Sequence, residues 1–294
     1  KMFFLNKNYI LLISILFILI GIFLRIYQLN LESFWLDEMI SFWVADPNIS
    51  LVETFTRRDH IEQSPVLFDL FLKKHLEFFN YDPKFARYLP LIFGILSIPL
   101  LGILANQVSK NNSFLLSIFL ISINMYLISY SQEARPYSLV FLLSIINLIF
   151  YYKILSAGIE TFKKKSSFIF FVIFSVLALS SHPFTIILLF SQILNSLYSL
   201  IIFKKKHYLF FLSIPIILLI YLLFNFNYLI SQLTYSEFFL SHENWKFYYN
   251  YYFSRFFGSR IMGLIYLSTL IYLIIIFRKK IFLTLNNYLV LVFV

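Results

Sequence analysis

The stretch from Tyr9 to Tyr27 reads YILLISILFILIGIFLRIY and carries one charged side chain, that of Arg25. A helix rises 1.5 Å per residue, so a segment of this length covers about 28 Å, close to the ~30 Å hydrocarbon core of a bilayer. Similar apolar runs recur along the 294 residues, of which 60% are hydrophobic and 13% charged. Soluble domains average about 25% charged residues. The composition therefore excludes a soluble chain and predicts a polytopic membrane protein.

Nine apolar segments are long enough, or nearly so, to span a membrane. They lack the alternation of barrel strands, so helices are the only spanning form that satisfies the backbone. No small-residue cleavage pattern follows the first segment, so we interpret it as an uncleaved anchor, with Arg25 snorkelling to the outer boundary. We predict an all-α integral membrane protein with spans at residues 9–27, 88–105, 114–130, 137–155, 167–181, 183–203, 208–224, 261–277 and 281–294.

Lysine and arginine in the short loops orient these spans. Thirteen of them fall on one side, where Glu160 is the only acid, and this side is predicted to be cytoplasmic. The net charge of +10 is therefore a topology signal and a contact with anionic lipids, not a nucleic-acid site. The thirteen residues are Lys1, Lys7, Lys110, Lys153, Lys163 to Lys165, Lys204 to Lys206, Arg278, Lys279 and Lys280.

The loop of residues 28–87 lies on the opposite, outer side and holds ten of the 14 acids. It is too long to be a simple connector. Apolar residues recur in it at helical spacing in two places, which predicts two amphipathic helices lying in the membrane surface. The residues that define these helices are Trp35, Met39, Phe42 and Trp43 in the first, and Leu67, Phe71 and Phe78 in the second.

Candidate carboxylates lie in both parts of this loop. Asp37 and Glu38 are adjacent, and neighbouring helical residues point about 100° apart, so the two cannot aim at one atom. We expect one to act and the other to support it; the alternative is a solvated acidic turn. Glu62 precedes Pro65 at the start of the second surface helix, where an acid either caps the helix or joins a site.

Other polar residues fall on the same side at a similar depth. Arg87 precedes the second span, and His182 lies in the turn between the fifth and sixth spans. The third span ends in the polar sequence Ser131-Gln132-Glu133-Ala134-Arg135-Pro136-Tyr137. Each signal is weak alone. Glu133 and Arg135 could form a simple ion pair at the rim, His182 could be a hydrogen-bonded turn residue, and Arg87 could only anchor the second span. Their shared location is what points to a site.

The order of these motifs resembles the membrane glycosyltransferases of the GT-C fold. The similar branch is that of the dolichyl-phosphate-mannose protein mannosyltransferases and bacterial aminoarabinose transferases, glycosyltransferase families 39 and 83. The resemblance covers about residues 30–200 and implies a GT-C-type helical bundle. The motifs that carry it are Trp35-Leu36-Asp37-Glu38, Glu62-Gln63-Ser64-Pro65, Arg87-Tyr88-Leu89-Pro90 and the sequence from Ser131 to Tyr137.

The resemblance implies transfer of a sugar from a polyprenyl-phosphate donor to a protein, lipid or glycan acceptor at the outer face. It makes Asp37 the catalytic carboxylate, with Glu38 and Glu62 in support. Glu62 and His182 together are candidate ligands for a divalent metal ion. A departing phosphate needs positive charge, and the available cations are Arg135, Arg87, Lys84, Arg57 and Arg58. Gln132, Glu133 and Tyr137 are predicted to support the site.

Two other functions remain open from the sequence. Transporters and lipid flippases place charges and broken helices near the bilayer midplane, whereas the predicted spans here carry almost no charge. The second alternative function is that of a non-catalytic assembly subunit. The absence of cysteine excludes thiol catalysis. We expect one transmembrane domain over residues 1–294, the front part of a longer protein, in a bacterial cytoplasmic membrane.

Overall fold

In the computed structural model every regular element is helical within the residues that the structure describes. This confirms the predicted all-α class for that part of the chain. The chain forms two compact units, residues 1–186 and residues 187–294. The described residues are 7–61, 65–109, 113–157, 165–203, 211 and 213–224, with scattered positions between 245 and 275.

The helices follow the apolar segments of the sequence, with three further helices in the first loop. In chain order they are α1 (Lys7–Ile26), α2 (Leu36–Val44), α3 (Leu51–Ile61), α4 (Leu67–Phe78), a 3-10 helix (Pro83–Phe85), α5 (Tyr88–Val108), α6 (Ser113–Ile123), α7 (Met125–Ser131), α8 (Tyr137–Ala157), α9 (Lys165–Ser181), α10 (Thr185–Phe203) and α11 (Ser213–Phe224).

Three of these helices, α1, α5 and α8, are long and apolar enough to cross a membrane. The bent pair α6 and α7 makes a fourth span if the two are counted as one. The predicted spans at 167–181, 183–203 and 208–224 correspond to the shorter apolar helices α9, α10 and α11. Those at 261–277 and 281–294 lie largely outside the described residues. The total of nine spans therefore stays a prediction.

The third predicted span, 114–130, is not one straight helix. It is bent by 60° between α6 and α7. Asn124 lies at the break with an extended backbone, and its side-chain oxygen accepts a hydrogen bond from Leu127 N at 3.0 Å. Asparagine is a favoured N-cap because its side chain satisfies one of the free N–H groups at a helix start. The cap begins α7 as a separate helix.

The first loop folds into what we call the loop platform, helices α2, α3 and α4. The two helices predicted there from aromatic spacing are α2 and α4, and both form as helices. Helix α3 was not predicted, because its sequence has no apolar stripe. Its signal is a capping sequence in which Ser50 Oγ accepts from Glu53 N at 3.1 Å.

The loop platform packs on the ends of the long helices through one apolar cluster. Phe68, Leu72 and Leu76, all from α4, are fully buried in it. Phe42 stacks on Tyr81 with ring centroids 4.2 Å apart and anchors α2 to the same cluster. The remaining buried members are Ala45, Ala86, Ala134, Leu139, Leu143 and Ala178. This packing holds α2 in a fixed position against the segment between α7 and α8.

Candidate functional site

Helix α2 has a buried face, an exposed apolar face and a border between them. Glu38, Ser41 and Val44 are buried. Successive residues turn by about 100°, which places Asp37 beside this face and next to the exposed Leu36. The exposed apolar side chains are Trp35, Leu36, Met39 and Trp43. Asp37 is therefore a carboxylate at the edge of an apolar surface.

Glu38 lies in a fully buried network. Its side chain is 0% exposed, and its Oε1 accepts from Arg87 Nε at 2.8 Å and from Ala134 N at 2.7 Å. Its Oε2 accepts from Arg87 Nη2 at 2.7 Å. Two parallel bonds from one guanidinium form the strong bidentate arrangement of arginine with a carboxylate. Glu38 thereby ties together α2, the start of α5 and the segment before α8.

Arg87 uses all five of its N–H groups inside the protein. Besides its two bonds to Glu38, it donates to the backbone carbonyls of Leu29, Glu32 and Ser33 at 3.0, 2.9 and 3.2 Å. Arginine has five donors, so this geometry leaves none for a phosphate. The contacts favour a structural role for Arg87 over the donor-phosphate role predicted from the sequence.

Asp37 is in a different state from its neighbour. Its side chain is 30% exposed, and Oδ2 lies 3.6 Å from Arg135 Nη2. Arg135 also donates through Nη1 to Asp37 O at 3.3 Å and to Ser41 Oγ at 3.5 Å. The Arg135 side chain is 10% exposed, and its Cζ lies 5.8 Å from the ring centre of Tyr137. Asp37 and Arg135 thus form an ion pair that solvent can reach.

The segment 132–136 carries two of the predicted supporting residues, Gln132 and Glu133, just before Arg135. Gln132 donates through Nε2 to Tyr27 O at 2.8 Å at the end of α1, and Ala134 N donates to Glu38. Glu133 is half-buried, and its carbonyl accepts from Arg135 N at 2.7 Å. Gln132 therefore links this segment to the end of α1, and its supporting role at the site stays a prediction.

The remaining predicted cations differ in their availability. Arg57 stacks 4.3 Å from the ring centre of Trp43 and pairs with Glu53 at 3.2 Å, on the side of α2 that carries Trp43. Arg58 is buried, and its Nε donates to Asp69 Oδ2 at 2.8 Å. Lys84 is exposed and follows the N-cap Asp82. The geometry favours a structural role for Arg58 and brings Arg135 to Asp37.

Asp69 is a buried acid that the sequence analysis missed. It lies in the first turn of α4, within the apolar sequence Leu67-Phe68-Asp69-Leu70, and its side chain is 1% exposed. The signal was present, because an acid inside an apolar stripe needs a partner when the stripe is buried. The partner is Arg58 on α3, so the ion pair joins two helices of the loop platform.

Metal binding by Glu62 and His182 stays a prediction. Glu62 lies outside the described residues. His182 accepts a hydrogen bond at Nδ1 from Phe184 N at 3.2 Å and packs 5.9 Å from the ring of Tyr137, the geometry of a turn residue. In the ranges that the structure describes, no three His, Asp or Glu side chains are grouped to hold a metal ion.

Burial also shifts the pKa values of two groups, one in the loop platform and one just after it in the chain. Burial, together with the negative charge of Asp46, raises the pKa of Tyr81 to about 12, and Tyr81 OH donates to Phe42 O at 3.1 Å. Burial lowers the pKa of His75, while its Nε2 lies 3.0 Å from Phe85 O. Both groups are therefore held in their neutral forms at neutral pH, and they support the packing of the platform.

The arrangement provides one accessible carboxylate with one guanidinium beside it. A carboxylate in that position can accept a proton from a hydroxyl within hydrogen-bond reach. The guanidinium can stabilise negative charge that develops on a nearby phosphate. Glu38 helps to hold this pair together. It lies on the same helix as Asp37, and it accepts a hydrogen bond from Ala134 N, next to Arg135.

Comparisons with known proteins add no assignment to this geometry. No protein-family model, no curated protein and no solved structure matches the chain. The resemblance to GT-C glycosyltransferases therefore rests on the sequence motifs alone. Family, activity and donor stay predictions.

Proposed function

We propose that this chain is a membrane glycosyltransferase of the GT-C type. It would transfer a sugar from a polyprenyl-phosphate donor to a hydroxyl group of a protein, lipid or glycan acceptor. The reaction would take place at the outer face of the cytoplasmic membrane, where the sequence predicts the first loop to lie. The proposal is carried by one observation: Asp37 is accessible beside Arg135, while the adjacent Glu38 is fully buried.

The proposed reaction is a single displacement with inversion at the anomeric carbon. Asp37 takes the proton of the acceptor hydroxyl as its oxygen bonds to that carbon. The bond from the carbon to the phosphate oxygen breaks, and its electron pair leaves with the polyprenyl phosphate. Phosphate is a good leaving group, so a single carboxylate base is sufficient and no second working carboxyl is needed, unlike in glycoside hydrolysis.

Arg135 is the cation best placed for the departing phosphate. Its Nη2 lies 3.6 Å from Asp37, and its side chain is not fully enclosed. Arg87 and Arg58 are committed to buried carboxylates, so we do not assign them to the phosphate. The proposal requires the anomeric carbon to lie between a phosphate at Arg135 and an acceptor hydroxyl at Asp37, because the hydroxyl attacks in line with the bond that breaks.

The test is sugar transfer by the purified full chain in lipid nanodiscs. The donor is undecaprenyl phosphate that carries a radiolabelled sugar, mannose or aminoarabinose, and native membrane vesicles supply the acceptor. Asp37→Asn keeps the size and hydrogen bonding but removes the base. We expect transfer to fall about 100- to 10,000-fold, the usual contribution of a general base.

The matched control is Glu77→Gln, which removes an exposed acid of α4 that pairs with Lys74. It should transfer sugar at the wild-type rate. Near-wild-type transfer by a folded Asp37→Asn would exclude the mechanism. Equal transfer by the Asp37→Asn, Glu62→Gln double variant would exclude catalysis by this loop.

One observation favours a lipid flippase as the second candidate. The bent pair α6 and α7 has the geometry of a broken span or a re-entrant loop, and the buried Arg25 binds carbonyls beside the break. Broken spans with charges are a feature of transporters. With the purified full chain in proteoliposomes, movement of a fluorescent polyprenyl phosphate between leaflets without any sugar transfer would favour this candidate.

A further inference from the structure

Arg25 is a buried cation near the end of α1, a helix long and apolar enough to cross a membrane. It is 1% exposed, and its hydrogen bonds in the described structure go to backbone carbonyls. A charge removed from water is costly unless it is paired or well hydrogen-bonded. The expectation that Arg25 snorkels to the membrane boundary is therefore wrong, and its burial calls for another explanation.

The carbonyls that Arg25 binds belong mainly to the broken end of α6. Nη2 donates to Ile121 O at 3.0 Å, and Nη1 lies 3.3 Å from Ser122 O and 3.1 Å from Gly21 O. The last four carbonyls of a helix have no donor within the helix, and a cation there is also favoured by the helix dipole. Arg25 therefore caps α6 where the chain bends.

Gln132 joins the same two parts of the chain in the opposite direction. Its Nε2 lies 3.0 Å from Arg25 O and 2.8 Å from Tyr27 O, at the end of α1. Gln28, just beyond α1, has a φ of 60°, the left-handed conformation that often ends a helix. Arg25 thus caps the helix before the bend, and Gln132, which follows α7, caps α1.

The helices around Arg25 pack very closely, and two glycines make this possible. A Cβ on Gly94 would lie 2.5 Å from Ser131 Cβ and 3.4 Å from Arg25 Nε. A Cβ on Gly21 would lie 2.9 Å from Ser122 Oγ. Only glycine permits the three segments α1, α5 and the bent pair to approach this closely around the guanidinium.

We propose that Arg25 is a positioning residue for the candidate site. By capping α6 it holds α7 at its 60° angle, and α7 leads directly into the segment 132–136. That segment carries Ala134, whose N–H binds Glu38, and Arg135, which pairs with Asp37. Arg25 therefore acts on the ion pair of Asp37 and Arg135 through the bend, and not by a direct contact.

The geometry of α7 tests this without any assumption about activity. The chain has no cysteine, so spin labels can be placed at Ser129→Cys on α7 and Phe78→Cys on α4, both exposed positions. Double electron–electron resonance in nanodiscs measures their separation. Ser129 lies about 7 Å along the helix from the break at 1.5 Å per residue, so straightening the 60° bend would displace it by about 7 Å.

We expect Arg25→Met to shift this distance by several ångströms or to broaden its distribution. Arg25→Gln keeps two N–H donors but loses charge and reach, so it should give a smaller change of the same kind. Ser14→Ala is the matched control, because Ser14 is a buried polar residue of α1 that bonds only within its own helix, to Ile10 O. It should leave the distance unchanged.

The inference is overturned if a folded Arg25→Met keeps the wild-type distance distribution. If Arg25→Met does not fold, Arg25→Gln decides in the same way. A shift equal to that of Arg25→Met in the Ser14→Ala control would also overturn it, because any disturbance of α1 would then have the same effect.

The consequence for catalysis rests on the proposed function. Misplacement of a catalytic group by about 1 Å can cost up to 100-fold, so Arg25→Gln should lower kcat/KM for the donor by about 10- to 100-fold. Wild-type protein that transfers no sugar would overturn the proposed function and leave the distance result intact. Normal kcat/KM in a variant with a shifted distance would overturn the positioning role.

Discussion

On α2, the buried face and the open edge carry neighbouring carboxylates in opposite surroundings. The two oxygens of Glu38 accept three hydrogen bonds, from Nε and Nη2 of one guanidinium and from a backbone N–H, and the side chain has no exposure. Asp37 has partial exposure and one guanidinium beyond hydrogen-bond distance. The same type of functional group is thus used once for structure and once, in our proposal, for chemistry.

The difference shows what determines the role of an acidic residue at this site. A carboxylate that is fully buried and accepts three hydrogen bonds, as Glu38 does, cannot accept a proton from a substrate without breaking the network that holds it. A carboxylate that is partly exposed and held in a fixed position, as Asp37 is, can accept that proton. The buried acid is what makes the exposed one well positioned, because it ties α2 to the segment that carries Arg135.

Removal of Glu38 should therefore cause the largest loss of stability. Glu38→Gln leaves the buried Arg87 without a counter-charge, and breaking a buried ion pair from one side typically costs about 3–5 kcal/mol. Thermal unfolding in detergent measures the loss. Asp37→Asn is the matched neighbour and should unfold close to the wild-type temperature. Equal unfolding temperatures for the two variants would contradict the contrast between the two faces.

The sequence predicted half of this contrast. Adjacent helical residues point in different directions, so only one of Asp37 and Glu38 can face a given site, and this follows from local geometry. Which of the two is buried depends on partners 49 and 96 residues away, Arg87 and Ala134. Periodicity carries no information about such contacts. The choice of Asp37 as the catalytic acid, with Glu38 in support, came from the family resemblance, and Arg87 was predicted as a phosphate ligand.

The fold was predictable where an apolar pattern had one clear period. Helices α2 and α4 follow from aromatic spacing, and the long helices follow from apolar runs. Helix α3 and the break at Asn124 depend on single capping side chains within the chain, which a window average hides. The burial of Arg25 could not be predicted because its acceptors exist only once α6 ends early.

A second buried pair, Arg58 and Asp69, tests whether burial alone explains the cost at Glu38. Asp69→Asn should destabilise by a similar few kcal/mol, since it also leaves a buried guanidinium without its acid. Replacing both partners, as Arg58→Met with Asp69→Leu, should recover most of the loss, because such replacements are often neutral. Chemical or thermal unfolding of the single and double variants gives the comparison.

The same double replacement at the first pair should not recover stability. Without Glu38 and Arg87, the buried N–H of Ala134 and the buried carbonyl of Leu29 lose their partners. Each unsatisfied buried group costs about 1–3 kcal/mol. Full recovery there would mean that Glu38 and Arg87 form a simple pair and not a network.

For Arg135, which pairs with the exposed Asp37, we expect a smaller effect, and we expect it in the kinetics with the sugar donor. Arg135→Lys keeps the charge but loses the planar pair of donors that fits phosphate, so donor use should weaken by about tenfold, or about 1.4 kcal/mol. Steady-state kinetics with varied polyprenyl-phosphate sugar measures it, with Lys84→Ala, an exposed cation outside the described contacts of Asp37, as the comparison. Unchanged donor kinetics in both Arg135→Lys and Arg135→Ala would remove Arg135 from the proposed phosphate site.

The smallest expected effect concerns the base of the loop platform, where burial lowers the pKa of His75. The unfolded chain then binds the proton more tightly than the folded protein, so stability rises with pH and is lost as pH falls through the unfolded value of about 6.5. When the pH is lowered from about 7.5 to about 5.5, the unfolding temperature should drop less in His75→Phe than in the wild type. His60→Phe, which replaces an exposed histidine of α3, should behave like wild type. If the two variants respond to pH alike, the platform's pH dependence has another source.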